Sequence, residues 1–584
     1  MKRGKTAVYF IVLAFILVIG FTIGFANFKS GLTGKVTADP SSRYQQLKTC
    51  LEQGGTLTAC RLASTISLEE YQRSNLPGVQ ENPLDGAKQR REAYKQMIKT
   101  IWRNKKDYLA QYIHRDLSAP QTTEYVLYNL QGYTNNILEY AGQEKDLEIL
   151  DELASLYLLT YNYLELKEEY RYYYLPGQPR IAVLPLSPPA KMWLYYPPEA
   201  PEGLEDILAN AQFLFVIGEA LNVFLALPEQ ERTPVIHQFI EKFAPVLKDH
   251  YTRWVFAPQG MFQVTGWGCT VGMFNANDFL EKKMHREFVS RSNNPIGYCN
   301  HITDTDTWIL TGTVQLLAAN AKNPALVPLE QQEKERFLGY VDLGSRTLQS
   351  RLTPSSLTDF NNHPVQGLNF DLGGSDDHPD YAYTAYTGEA FPTEANKGYA
   401  RNRGWDISHG TRFVPVFNTL HQNRMVTNQQ FPDERVMQGL TNQLLYGVFN
   451  KNLERPLFTN FMDGTNGWYR VNYHAGVSQD GHPPSDLSLA IFRGHYGIWS
   501  RFNKDMEKVL GAFERIVQAK IAQQRQQQGD PEFILFIDRY YGLPRQTMDS
   551  QTNRFNTERS LELMNFLPTL VMVTGEDQEQ EAVS

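Results

Sequence analysis

Between Arg401 and Arg412 the chain reads Arg-Asn-Arg-Gly-Trp-Asp-Ile-Ser-His-Gly-Thr-Arg, and this stretch gathers the residue types that chemistry needs. Trp405 offers a stacking surface, Asp406 an anion, Ser408 a hydroxyl, His409 a titratable imidazole and Arg412 a fixed cation. An apolar run from Phe413 to Leu420 follows. Pro415 is tolerated only in a helix's first turn, so the regular helix is expected to begin near Thr411 to Val414, with the polar group on the loop feeding it. The plainer use of the same residues is structural: Asp406 and Ser408 cap the helix while His409 and Arg412 tie down backbone.

Four further loops share this flavour, and nine of the twelve histidines fall between His285 and His495. Residues 265–278 carry Trp267, and residues 291–306 carry Asn300, His301, Asp304 and Asp306. Residues 359–394 carry Asn361-Asn362-His363 and Asp376-Asp377-His378; residues 460–474 carry Asp463, Trp468, Arg470, Tyr473 and His474. Turn chemistry explains many of the Asp, Asn and Gly residues. Repeated Trp, His, Tyr and Arg beside them suit a sugar cleft, where aromatic faces cover the ring and polar groups bond its hydroxyls.

Two mechanisms follow from that composition. In an elimination, Asn362, Arg412 and Arg470 would neutralise a substrate carboxylate, and His363, His409, Tyr473 or His474 would take the adjacent proton. In a hydrolysis, two carboxylates would flank the glycosidic bond, with Asp406 and Asp463 the first pair to consider. Trp267, Asn300, His301, Trp405 and Trp468 are expected to bind substrate. A toroid that binds a glycan or a partner without turning it over uses the same loops. Asp376, Asp377 and His378 are too loosely spaced to make a metal site the expectation, no cysteine pair has zinc spacing, and no phosphate-cradling loop is present. No metal and no cofactor are expected.

The elements that must position these loops are helical. Helical spacing recurs at 88–115, 122–140, 147–172, 204–227, 234–247, 304–321, 332–352, 413–422, 433–449, 486–499, 504–528 and 557–573, without sustained two-residue alternation. Eight prolines between Pro176 and Pro201 mark an irregular loop. Helices joined alternately by short turns and long polar, aromatic loops suggest an all-α ring of stacked antiparallel hairpins with the long loops at one end. This layout resembles the six-hairpin, or (α/α) toroid, class of carbohydrate-active enzymes, which includes glycoside hydrolases and uronate polysaccharide lyases. Asn361-Asn362-His363 is similar to a triplet of toroidal alginate lyases, in which the His and a Tyr work with Asn and Arg; here Pro364 follows it. The resemblance implies cleavage of a uronate-containing glycan by β-elimination.

Residues 7–26 form an uncharged apolar run preceded by Lys2, Arg3 and Lys5, long enough to span a bilayer and oriented with the N-terminus in the cytoplasm. A cleaved signal peptide is the competing reading. The expected organisation is an anchor over 1–26, a flexible stalk over 27–45, a helical extension over 46–121, the ring over 122–574 and a frayed tail over 575–584. The main domain would then face the periplasm or the cell exterior, where Cys50 with Cys60, and Cys269 with Cys299, could pair or stay as thiols. Net charge of -8 argues against a nucleic-acid binder. The basic, amphipathic stretch from Lys88 to Arg115 could meet lipid or an anionic polymer, or simply be solvated.

Overall fold

A computed structural model describes residues 83–119, 125–175, 178–197, 200–257, 275–288, 297–371, 378–400, 403–473, 479–493, 495–524, 530–541 and 566–572. The apolar run at 7–26, the stalk, Cys50, Cys60, Cys269, Trp267, Asp376, Asp377, His474 and the tail lie outside these residues. Helices dominate: α1 Pro83–Ser118, α2 Tyr125–Glu144, α3 Leu147–Tyr161, α4 Ile207–Ala226, α5 Pro234–Phe256, α6 Ala276–Met284, α7 Asp304–Lys322 and α8 Gln331–Gln349. After them come α9 Ile407–Gly410, α10 Phe413–Gln422, α11 Arg424–Thr427, α12 Glu434–Asn442, α13 Asp505–Gln524 and α14 Pro531–Tyr540. The segments Asp486–Arg493 and His495–Arg501 are 3₁₀-helical, and 566–572 is a last helical stretch.

Helix starts follow local capping. Asp146, Asp206, Thr233, Asn275, Asp406, Asp433 and Asp530 each accept a hydrogen bond from a first-turn backbone N–H, the default way to satisfy the donors a helix leaves open. α4 packs on α2 and on α7; α7 packs on α10, and α10 on 495–501. Gly497 has no room for a side chain because Thr569 fills it, and Asn136 of α2 donates to the Thr569 hydroxyl at 3.3 Å. On the other side of these helices α3 packs on α1 and on α5, and Tyr94 of α1 donates to Glu514 of α13 at 2.5 Å. α1 therefore packs against α2 and α3 and reaches α13 through Tyr94. Three lysines of its basic face pair with neighbouring helices: Lys95 with Glu144, Lys99 with Asp146, and Lys106 with Glu152.

Two antiparallel hairpins depart from the all-helical expectation. Strands β1 Glu165–Leu175 and β2 Gln178–Met192 replace the end of the helix expected to reach residue 172 and the irregular loop expected after Pro176. β1 reads Glu-Leu-Lys-Glu-Glu-Tyr-Arg-Tyr-Tyr-Tyr-Leu, without a two-residue alternation, and it is the pairing with β2, with Tyr170 buried, that makes it a strand. Strands β3 Leu352–Thr358 and β4 Pro364–Phe370 pair in register from Leu352 with Phe370 to Thr358 with Pro364. α4 is, among the described residues, the helix long and apolar enough to cross a membrane; it is mostly buried by its neighbours, as a core helix is.

Candidate functional site

The segment from Arg403 to Ile407 is clamped as a short extended piece. Gly404 pairs with Asp371, Asp406 pairs with Phe461, Met462 donates to the Trp405 carbonyl at 2.8 Å, and Ile407 donates to the Asn460 carbonyl at 2.8 Å. A side chain at Gly404 would lie 2.7 Å from the Asp463 backbone nitrogen, so only glycine allows this approach. α9 begins immediately after, and α10 starts at Phe413 as Pro415 requires.

Asp406 is fully buried and does two things at once. One carboxylate oxygen caps α9, accepting from the His409 backbone N–H at 3.2 Å and the Ser408 hydroxyl at 2.5 Å; the other meets His409 Nδ1 at 2.7 Å. Burial alone would raise this carboxyl, but the His409 ring, the Ser408 hydroxyl and the Arg470 charge outweigh it and hold Asp406 well below the usual carboxylate range. An ionised Asp406 fixes the proton on Nδ1 and leaves Nε2 with its lone pair. Nε2 has no hydrogen-bond partner among the described residues. Ser408 sits on the Asp406 side of the ring, so the three do not form a nucleophile–base–acid relay.

The imidazole is held from three sides. Its face stacks on Trp405, centroids 5.5 Å apart and planes within 15°, and Tyr469 meets it edge-on at 6.4 Å. Asp304 is close enough for the ring's charge to bear on it, although burial raises that carboxyl on balance. Arg412 forms an ion pair with Asp304 and lies over the Tyr128 ring at 5.0 Å. Arg470 bonds Asp380 at 2.8 Å and covers Tyr469 and Tyr473 at 5.1 and 4.4 Å. Burial tends to lower Arg470, but Tyr469, Asp406 and Asp380 raise it, so it stays charged. Burial, with the Asp406 charge next, keeps the Tyr469 phenol protonated.

Asp406, His409, Arg412, Arg470 and Tyr473 are thus brought together through direct contacts and shared neighbours. Other expected residues are not. Trp405 and Trp468 are 1% and 0% exposed, so neither can stack on a ligand: Trp405 is covered by His409, Phe413 and His301, and Trp468 by Phe391. Asn362 and His363 form the turn of the β3–β4 hairpin, Asn362 at φ 64° and His363 against Asp359. Seven strand residues, ~24 Å, separate that turn from the base beside Gly404. Asp463 lies near Gly404, but its carboxylate accepts from Thr465 N–H at 3.3 Å and the Thr465 hydroxyl at 2.8 Å, an ordinary turn role. Asn300 staples the Phe288 backbone, accepting at 3.1 Å and donating at 2.5 Å. His301 is buried behind Trp405, and burial with Lys283, His378, Arg351 and His409 nearby pushes it well below the usual histidine range.

Tyr128, and the loop residues Tyr469 and Asp380, were given no site role from the sequence, and they complete the surroundings of the imidazole. The adjacency of Tyr469 to Arg470 was a signal for one of them; nothing local marked Tyr128. A separate surface cavity of about 500 Å³ is lined by Asn277, Asp278, Glu281, Arg336, Tyr340 and Arg346, and none of the expected site residues lines it. No family model, no curated protein and no solved structure matches this chain.

Proposed function

We propose that the chain is an (α/α) toroid enzyme that cleaves a uronate-containing glycan by β-elimination, with His409 as the base. The toroid reading is supported by the succession α2, α4, α7, α10, 495–501 and 566–572, in which each packs on the next and the last returns to α2 through Asn136 and Thr569. The observation that carries the chemistry is the Asp406–His409 pair, with Nδ1 bound at 2.7 Å and Nε2 open. Nε2 takes the proton next to the uronate carboxylate, the bond to the leaving glycosidic oxygen breaks, and the imidazolium returns its proton to that oxygen. Arg412 and Arg470 supply the positive potential that favours the intermediate anion. Hydrolysis fits less well, because the Asp304 carboxylate is held by Arg412 and the Asp406 carboxylate by Ser408 and His409 Nδ1, which leaves neither to protonate or attack at a glycosidic bond.

The proposed address is outside the cytoplasm, tethered by residues 7–26. Cys299 is disulfide-bonded, which supports an oxidising compartment. The test is incubation with uronate polymers while following ultraviolet absorbance of the conjugated product and release of reducing ends. Absorbance that disappears in His409→Ala is expected; reducing ends without absorbance, or a His409→Ala enzyme as active as the parent, refutes elimination by this base.

A further inference from the structure

Away from the imidazole, the cavity of about 500 Å³ lies where α5, α6 and α8 meet, and its size falls within the roughly 300–1,000 Å³ of small-molecule sites. α6 packs on α5 and on α8, and Phe256 at the end of α5 reaches α8 through Phe337, ring centroids 5.1 Å apart. Val255, Phe256 and Leu343 supply the apolar part of the lining. The charged part is divided between two helices: α6 brings Asp278 and Glu281, and α8 brings Arg336 and Arg346. Arg346 is already bonded to Asp342 at 2.9 Å. Arg336 lies over the Phe256 ring at 4.0 Å, and Glu333, the acid one turn before it, is held by Lys248 at 2.7 Å. The Asp278 carboxylate accepts from the Asn275 amide at 3.2 Å and from the Asn277 amide at 3.4 Å. Among the described residues neither Glu281 nor Arg336 forms an ion pair.

Opposite charges thus share one cavity without closing on each other. Stacking on Phe256 holds Arg336 on the α8 wall, and the two asparagine amides hold Asp278 on the α6 wall, so the cavity has a cationic side and an anionic side over an apolar floor. We propose that this cavity binds a small zwitterion, a free amino acid or a short peptide with free termini, its carboxylate on Arg336 and its ammonium on Glu281 and Asp278. A guanidinium matches a carboxylate in shape and charge, and carboxylates on the facing wall select a cationic group at the other end of the same molecule. Gly339 of α8 also lines the cavity, and no atom stands within 4 Å of the place a Cβ would take there. Glycine weakens a helix interior, and packing within the fold does not require it at this position. A ligand lying against bare helix backbone does. The site is independent of the elimination reading, because neither His409 nor any residue in contact with it lines the cavity.

The experiment is calorimetric titration of the full chain with L-phenylalanine, glycyl-L-phenylalanine and triglycine, beside N-acetyl-L-phenylalanine, which lacks the ammonium, and L-phenylalaninamide, which lacks the carboxylate. The best-bound zwitterion is expected to bind about three- to tenfold more tightly than either derivative. Arg336→Gln should abolish the advantage over the amide and leave that over the N-acetyl compound; Glu281→Gln should reduce the second and leave the first. Misfolding would not separate the two charges in this way. Gly339→Leu should fill the cavity and abolish binding of every probe while melting no lower than the parent, because leucine is the better helix former. The order of affinity among the three zwitterions tells a free amino acid from a peptide, and either order supports the site. A parent that binds none of the three, derivatives that bind as well as the zwitterions, charge variants that leave both advantages intact, or a Gly339→Leu chain that binds as the parent does overturns the proposal.

Discussion

Replacing Asp406 with asparagine tests the imidazole arrangement most directly. Asparagine is nearly isosteric and caps helices as well as aspartate, so the bonds from His409 N–H and the Ser408 hydroxyl to this side chain can persist. What changes is the 2.7 Å contact to Nδ1. The asparagine amide can donate to Nδ1, moving the ring proton to Nε2 and removing the lone pair that the proposed reaction needs. Loss of a general base lowers turnover by about 10²- to 10⁴-fold, with substrate affinity little altered because Asp406 is buried behind the ring. The lost charge-assisted bond also costs about 1.5–3 kcal/mol of stability at neutral pH. Because the folded carboxyl is depressed, its contribution is complete above the unfolded value near ~3.9 and fades as pH falls below it toward the folded value. Steady-state kinetics and denaturant melts over about pH 3 to 7 check both parts. An Asp406→Asn enzyme with turnover within about threefold of the parent would refute the base assignment, since even the weakest general-base contribution exceeds that.

Further outcomes follow from other parts of the molecule. Glu139 of α2 and Glu219 of α4 bond to each other; burial raises both, and for Glu219 the neighbouring Glu139 charge adds to it. Stability is therefore full at acidic pH and falls as pH rises through the raised values, by up to about 1.4 kcal/mol per pH unit for each proton lost, and Glu219→Gln should flatten that slope in melts at rising pH. Gly312→Ala in α7 would drive a methyl into the Tyr251 hydroxyl and should cost about 1–3 kcal/mol, measured by chemical denaturation. Removing the chain from residue 566 onward exposes the surfaces that Phe566, Leu567, Leu570 and Val571 bury; at about 1.5–3 kcal/mol each this should abolish cooperative unfolding, and an unchanged melt would count against ring closure.

Asp406 to Arg412 was legible because capping acts over three residues and Pro415 fixes a helix start locally. The same short range explains why most helices were foreseeable from spacing. The β1–β2 hairpin was not: its tyrosines fall at positions that also fit a helix, and pairing of Glu165 with Met192 is a contact no local pattern encodes. Asn361-Asn362-His363 carried a triplet resembling a catalytic one, and the register of β3 with β4 made it a turn. Sequence by itself determined the residue types, the helical framework and the Asp406–His409 spacing that lets one carboxylate reach both the backbone N–H and Nδ1. Only the tertiary structure decided which aromatic faces reach solvent. Trp405 is closed off by His301 and Phe413 while Tyr125 and Tyr473 stay about half exposed, because burial is set by distant neighbours that side-chain type alone does not reveal.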